Sequence, residues 1–533
     1  MENVTIFDTT LRDGMQGMEI NFSLEDKIQI ARRLDELGID YIEGGFPISS
    51  EREASFFEQI GREKLRHARI VAFGSTRRPR HEAARDPQIQ ALIEAGTPAV
   101  VITGKSWKAH VREVLGTTLE ENLAMVEDSI RTVKAAGREV IFDLEHFFDG
   151  FKDDAGYALR ILETATRAGA DVLVLCDTNG GTLPTEVSRI MSSLPAADLA
   201  PLGVHFHDDC GTAVANSLAG IEAGARHVQG TINGWGERCG NANLCALIPN
   251  IALKMGLHMA AERNLTELTS VSRFVSEKAN MIPNKRQPYV GEAAFSHKGG
   301  QHADVVSKSE GLMEHIDARL VGNHRRILLS ELSGRSTVIS KMSRYGTFDK
   351  KSREVGELVG RLKELEAEGY EFEAAEASFD LLMRRVLGRY RPLVELHNYY
   401  LESYKYGEAP SKTVGRIFLR QNGKELMGAA VRIGPVETLD AALRDALLPT
   451  YPFIRRIKLI DYRVRILNPS AAAAAKVRVF ITSSDGNESW DTVGVSENIV
   501  EASWQAIVDS LEYYFNNHLE AEAAGGARAQ TSP

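Results

Sequence analysis

From residue 3 to about residue 256 one pattern recurs: a short β-branched run, a polar or glycine-bearing break, then a stretch of helical period. The predicted strands are Val4–Phe7, Asp40–Gly44, Arg69–Phe73, Ala99–Ile102, Glu139–Asp143, Asp171–Cys176, Leu202–Phe206 and Arg226–Gly230. Between them lie amphipathic stretches such as Ser23–Leu37 and Leu119–Ala136, several stopped by a glycine (Gly38, Gly96, Gly137, Gly169, Gly224) that accepts the left-handed turn closing a helix. Eight strands alternating with helices in about 250 residues suit a closed (β/α)8 TIM barrel, whereas an open doubly wound sheet normally needs fewer. The fold class is therefore α/β, with a barrel first.

Past residue 257 the alternation stops. Residues to about 392 read as mainly helical, including a Glu/Lys-rich helix Lys351–Glu368. Strands then return: Leu393–Tyr404, Thr413–Arg420 and Met427–Arg432 precede a helix Val436–Leu447. The order repeats with Ile457–Ile466, Lys476–Ser483, Trp490–Val495 and a helix Asn498–Tyr514. Two βββα repeats form an α+β unit of the kind that binds or assembles. The expected domains are a barrel at 1–270, helical linker or lid subdomains at 271–392, a C-terminal α+β unit at 393–520 and a disordered tail at 521–533.

The formal charge of −10 offers no footprint for nucleic acid or an anionic membrane surface, so small molecules are the expected partners. There is neither a signal-like N-terminus nor an apolar run long enough to span a bilayer, which predicts a cytoplasmic protein with no membrane partner. Cys176, Cys210, Cys239 and Cys245 lack paired spacing and read as reduced packing thiols, Cys239 drawing notice for its neighbours.

In a parallel barrel the active site lies at the C-terminal ends of the strands. The polar residues that fall there are Asp8, Arg12, Asp13 and Gln16, then Glu43, Glu145, Asp177 to Asn179, His205 to Asp209, and Glu237 to Asn241. His205 and His207 are two apart on a strand, on one face and about 6.6 Å apart at Cα, so both reach one metal. Asp13 and the amide oxygen of Asn241 complete a mixed N/O set suited to Mg²⁺, Mn²⁺, Co²⁺ or Zn²⁺. The alternative is a pair of histidines hydrogen-bonded in a polar mouth. Arg12 would stabilise an oxyanion beside such an ion, or pair with Glu43. Glu145 is a candidate general base if desolvation raises its pKa, or half of a salt bridge. Thr178 can donate to a substrate carboxylate or bond a turn. Outside the barrel, His297-Lys-Gly-Gly-Gln-His302-Ala-Asp304 reads as a capping loop or a catalytic lid.

Four segments now carry a resemblance: Asp8-Thr-Thr-Leu-Arg-Asp-Gly-Met-Gln16, Tyr41-Ile-Glu-Gly-Gly-Phe-Pro47, Gly203-Val-His-Phe-His-Asp-Asp209 and Gly236-Glu-Arg-Cys-Gly-Asn241. Together they resemble the 2-isopropylmalate synthase, homocitrate synthase and HMG-CoA lyase superfamily. Ala72-Phe-Gly-Ser-Thr-Arg-Arg-Pro79, Glu145-His-Phe-Phe-Asp-Gly-Phe151, Cys176-Asp-Thr-Asn-Gly-Gly-Thr-Leu-Pro184 and the stretch from Gly369 to Phe379 are most similar to its (R)-citramalate synthase branch. The resemblance implies an acyltransferase that condenses acetyl-CoA with pyruvate, giving citramalate and CoA on the route to isoleucine. It implies a divalent metal held by Asp13, His205, His207 and Asn241. Arg12, Glu145 and His302 would be catalytic, and Arg12, Gln16, Glu43 and Thr178 would bind substrate. His302 would come from the partner subunit of a homodimer, and the C-terminal unit would be a regulatory dimerisation domain with an amino-acid effector, isoleucine. Met313 stands where relatives commonly carry Tyr. The competing readings are another 2-keto acid acceptor (2-isopropylmalate or homocitrate as product), a lyase running the reverse cleavage, and a non-enzymatic amino-acid sensor.

Overall fold

The computed structural model describes residues 3–195, 199–297, 313–327, 335–421, 423–467, 475–486 and 488–529. His302 and Asp304 therefore lie outside the described residues. The chain divides into two compact units, one of residues 1–296 with 316–326 and the other of residues 297–315 with 327–533. The helical stretch expected at 271–392 is shared between them.

In the first unit, eight strands close into an all-parallel barrel in sequence order: β1 Thr5–Asp8, β2 Tyr41–Gly45, β3 Arg69–Ser75, β4 Ala99–Lys105, β5 Glu139–Glu145, β6 Val172–Asp177, β7 Leu202–Phe206 and β8 His227–Gly230. Closure is direct, with Thr5 opposite His227 and Asp8 opposite Gly230. The helices start and stop where the local chemistry asks. Ser23 and Asp26 form a reciprocal capping box at the head of Leu24–Leu37, and Gly38 ends it at φ 95°. All five glycines expected as stops have φ between 70° and 109°.

Three strands run two or three residues further than their sequence suggests. β3 reaches Ser75, β4 reaches Lys105 and β5 reaches Glu145, past the expected ends Phe73, Ile102 and Asp143. Gly74 and Gly104 look like breaks, yet each lies inside a strand because a neighbour fills the space a Cβ would need. A Cβ on Gly104 would sit 2.6 Å from Phe142 Cζ, and one on Gly74 would sit 2.9 Å from Leu92.

The barrel interior changes character along its axis. Phe7, Tyr41, Val71, Val101, Ile141 and Val174 fill its lower layers. Buried polar residues (Glu43, Asp143, His205, Gln229) take over towards the C-terminal mouth. Parallel strands buried on both faces are ordinarily apolar throughout, so polar inward positions mark the functional end.

The second unit contains two three-stranded antiparallel sheets. β9 Glu395–Tyr404, β10 Lys412–Gln421 and β11 Lys424–Arg432 lead into the helix Pro435–Leu447. β12 Lys458–Ile466, β13 Val477–Ser484 and β14 Ser489–Ser496 lead into the helix Ile499–Ala529. The repeat read in the sequence extends to detail. Both first strands carry a bulge near their start, at Leu396/Asn398 and at Leu459/Asp461. Both third strands place a glycine under the helix: a Cβ on Gly428 would lie 1.9 Å from Ala442 O, and one on Gly494 would lie 2.0 Å from Ala502 O. The last helix outruns its expected end at Tyr514, where the following stretch holds several Ala and Glu, both strong helix formers. No helix among the described residues is long and apolar enough to cross a membrane.

Candidate active site

β1 delivers Arg12 and Asp13 to the mouth through the turn that follows it, and β7 delivers His205 and His207 at alternate positions. Asp13 Oδ2 lies 3.5 Å from His205 Nε2 and 4.0 Å from His207 Nε2, and one ligand atom from each of the three residues fits within 4.8 Å of the others. All three residues are buried. Asn241 reaches them by backbone pairing: it forms an antiparallel bridge with His207, Ala242 N donates to Phe206 O, and Asp208 N donates to Gly240 O. Gly236 leaves room for the Asn241 amide, where a Cβ would lie 2.3 Å from Nδ2.

The donor set fits a divalent cation. Asp13 Oδ1, Asn241 Oδ1 and His207 Nδ1 are buried without a hydrogen-bond partner, an arrangement expensive to keep unless something cationic or polar satisfies it. Burial works against the charge on Asp13, but the neighbouring Arg12 guanidinium leads in holding its carboxyl below the usual range. Burial pushes both imidazoles down, His207 to about 4 with help from neighbouring His205, so both are neutral and carry a free lone pair at neutral pH.

Arg12 is fixed on three sides. Its Nε donates to Glu43 Oε2 at 2.7 Å, its Nη1 lies 3.4 Å from Asp13 Oδ2, and its guanidinium sits 4.0 Å from the centre of the Phe73 ring. Glu43 is fully buried behind it and also accepts from Thr9 Oγ1. The ion pair between Arg12 and Glu43 thus exists alongside the metal-type cluster, and Glu43 touches Arg12 rather than open space. Burial and the neighbouring Glu43 raise the Asp143 carboxyl well above its ordinary range, which limits negative charge inside the barrel.

Glu145 and Lys105 are register partners at the ends of β5 and β4, with Oε2 2.5 Å from Nζ. The salt bridge weighed for Glu145 is present, and its carboxylate remains partly exposed at the rim. Behind it stand His146, with a left-handed backbone (φ 58°), and His110, whose rings lie 4.1 Å apart. Thr178 Oγ1 accepts from His146 N at 2.9 Å, which leaves the hydroxyl proton free to donate outward. Arg238 clamps the same loop, bonding Thr178 O at 2.7 Å and Asp209 at 2.7 and 2.9 Å. Gln16 is exposed at the end of the turn Gly14–Gln16. In the second unit, His297 Nε2 pairs with Glu314 at 3.0 Å beside the half-buried Met313.

Sequence reasoning missed Lys105, Phe73, His110 and Gln229. Lys105 was legible in principle, since it lies at the end of a strand; the early stop at Ile102 hid it. Gln229 carried a weaker signal, a polar residue at an inward alternate position of β8.

Residues 3–275 match the family model described as HMGL-like, residues 289–370 the homocitrate synthase post-HMGL domain-like model, and residues 373–515 the LeuA allosteric (dimerisation) domain. The chain is 49% identical over 515 residues to an (R)-citramalate synthase of Aquifex aeolicus, covering 96% of this chain and 98% of that one. It is 48% identical over 521 residues to an (R)-citramalate synthase of Synechocystis, with 95% of each covered. A probable 2-isopropylmalate synthase of Methanopyrus kandleri is 33% identical over 511 residues, 95% of this chain and 97% of that one.

Proposed function

This chain belongs to the (R)-citramalate synthase family of acyltransferases, and from that premise we propose that it condenses acetyl-CoA with pyruvate to give citramalate and free CoA. The observation that carries the reading is the convergence of Asp13, His205 and His207 beside an Arg12 already locked in place. Asp13, His205 and His207, with Asn241 alongside, would hold a divalent ion, which would supply Lewis-acid polarisation of the keto acid's carbonyl oxygen.

The chain's own residues supply the rest. Glu145 takes a proton from the acetyl methyl group, and the methylene carbon then bonds to the keto carbon of pyruvate. Negative charge collects on the former carbonyl oxygen, where the Arg12 guanidinium stabilises it, and that oxygen finally takes up a proton. Thr178 holds the carboxylate of pyruvate through its outward hydroxyl proton, and Gln16 flanks the entrance. Glu43 acts from behind by holding Arg12. Water then cleaves the thioester with assistance from His302, breaking the carbon–sulfur bond and releasing CoA.

The higher identity to citramalate synthases than to the 2-isopropylmalate synthase favours pyruvate over a bulkier 2-keto acid. A homodimer is supported by the dimerisation-domain match and by exposed apolar side chains on both sheets of the second unit, among them Tyr400, Met427, Ile460, Val464 and Ile466. The same domain is the place for an amino-acid effector, isoleucine on this reading. The test is CoA release, read with a thiol reagent, from acetyl-CoA with pyruvate, 2-ketoisovalerate and 2-ketoglutarate offered separately, with and without chelator. Chelator-sensitive release with pyruvate supports the reading; preference for another acceptor, or CoA release unaffected by full metal removal, overturns it.

A further inference from the structure

Two buried polar residues of the barrel, Gln229 and Asp143, have no part in that reaction. β7 and β8 pair with Gly203 opposite His227 and Val204 opposite Val228, so the next step brings His205 beside Gln229. His205 Nδ1 and Gln229 Oε1 are 2.9 Å apart, and Gln229 Nε2 donates to Asp143 Oδ1 at 3.1 Å. Gln229 is 1% exposed and Asp143 4%. Both ends of the amide are therefore committed, away from water.

The consequence lies on the other side of the imidazole. A ring nitrogen facing an amide oxygen carries the proton, so Nε2 of His205 keeps its lone pair. That lone pair faces Asp13 Oδ2 at 3.5 Å, longer than the ~2.7–2.9 Å of a charge-assisted hydrogen bond. Two acceptors face one another with no hydrogen between them. Such an arrangement is unfavourable on its own and becomes favourable when a cation sits between.

We propose that Gln229, held by Asp143, is a positioning residue that fixes His205 in the tautomer and orientation needed to bind the divalent ion. This rests on the metal reading of the site. An amide serves here in place of the more usual carboxylate or backbone carbonyl, directing the imidazole without adding another charge beside Glu43 and Asp13.

The test measures metal affinity rather than turnover. Full-length protein is stripped with chelator and titrated with Mn²⁺, following the free ion by electron paramagnetic resonance, and with Co²⁺, following its visible ligand-field absorption. Gln229→Met, close in length but unable to accept from His205, is expected to weaken Mn²⁺ binding roughly 10- to 100-fold and to change the Co²⁺ spectrum. Gln229→Glu restores an acceptor and is expected to bind within a few-fold of the unmodified protein. Thermal unfolding of each variant checks that the barrel remains intact. If the unmodified protein fails to bind Mn²⁺, or His207→Ala binds as well as it does, the metal reading itself fails. If both of those controls behave and Gln229→Met binds within twofold of the unmodified protein, the positioning role is overturned. Equal losses in the Met and Glu variants overturn it too, because they assign the residue to packing. Should Gln229→Met not fold, the Glu variant decides: retained affinity and Co²⁺ spectrum support the role, and a tenfold loss ends it.

Discussion

Replacing Arg12 with lysine keeps the positive charge and removes the fork, which makes Arg12→Lys a sharp probe of the site. The arginine makes one charge-assisted bond to Glu43 at 2.7 Å and lies 4.0 Å over the Phe73 ring. Losing the bond costs about 1.5–3 kcal/mol, and the weaker stacking of an ammonium adds about 0.5–1 kcal/mol. A lysine cannot satisfy Glu43 and present donors to a developing oxyanion at the same time, since it is a point charge on a flexible stem. If the sum of about 2–4 kcal/mol appears in the transition state, kcat/KM falls roughly 30- to 1000-fold at 1.4 kcal/mol per decade. Mn²⁺ affinity should change little, because a cation still stands beside Asp13. Steady-state CoA release with varied pyruvate, combined with Mn²⁺ titration, reads both quantities. Activity within threefold of the unmodified protein would show that charge alone suffices, and would refute the argument from guanidinium geometry.

Three further outcomes are expected. His207→Ala removes a ligand from a cluster that holds two imidazoles among the described residues, and should abolish metal-dependent CoA release while circular dichroism stays unchanged; full activity would end the metal assignment. His227 is buried between Phe7 and Tyr41 with both ring nitrogens unbonded, and burial pushes its pKa down to about 3. Since the unfolded chain takes up that proton first as pH falls below about 6.5, stability is lost from there downward at up to about 1.4 kcal/mol per pH unit. His227→Leu should flatten that slope in urea unfolding at pH 7 and pH 5.5, and an unchanged slope would exclude His227 as its source. Gly494→Ala should lower thermal stability by about 1–3 kcal/mol, as the added methyl meets Ala502 O in the packed helix backbone. A Tm equal to that of the unmodified protein would show that the helix shifts freely.

The eight strands and their order were legible because strand and helix periods are local. The left-handed glycines were legible for the same reason, being a property of one residue's φ. The His-x-His spacing put two imidazoles on one face before any contact was known. Where the reading stopped short at β3 and β4, the cause was Gly74 and Gly104. They look like breaks until Leu92 and Phe142 are seen to occupy the space where a side chain would go. That early ending concealed Lys105, the partner of Glu145.

Sequence alone thus determined which elements form, which residues crowd the strand ends, and what family the motifs resemble. It could not say that Gln229 stands behind His205, that Asn241 arrives beside His207 by antiparallel pairing, or that Phe73 lies under Arg12. Those neighbours are tens of residues apart in the chain. They meet only because closure of the barrel fixes every strand's register against the next, a long-range constraint that no local period encodes.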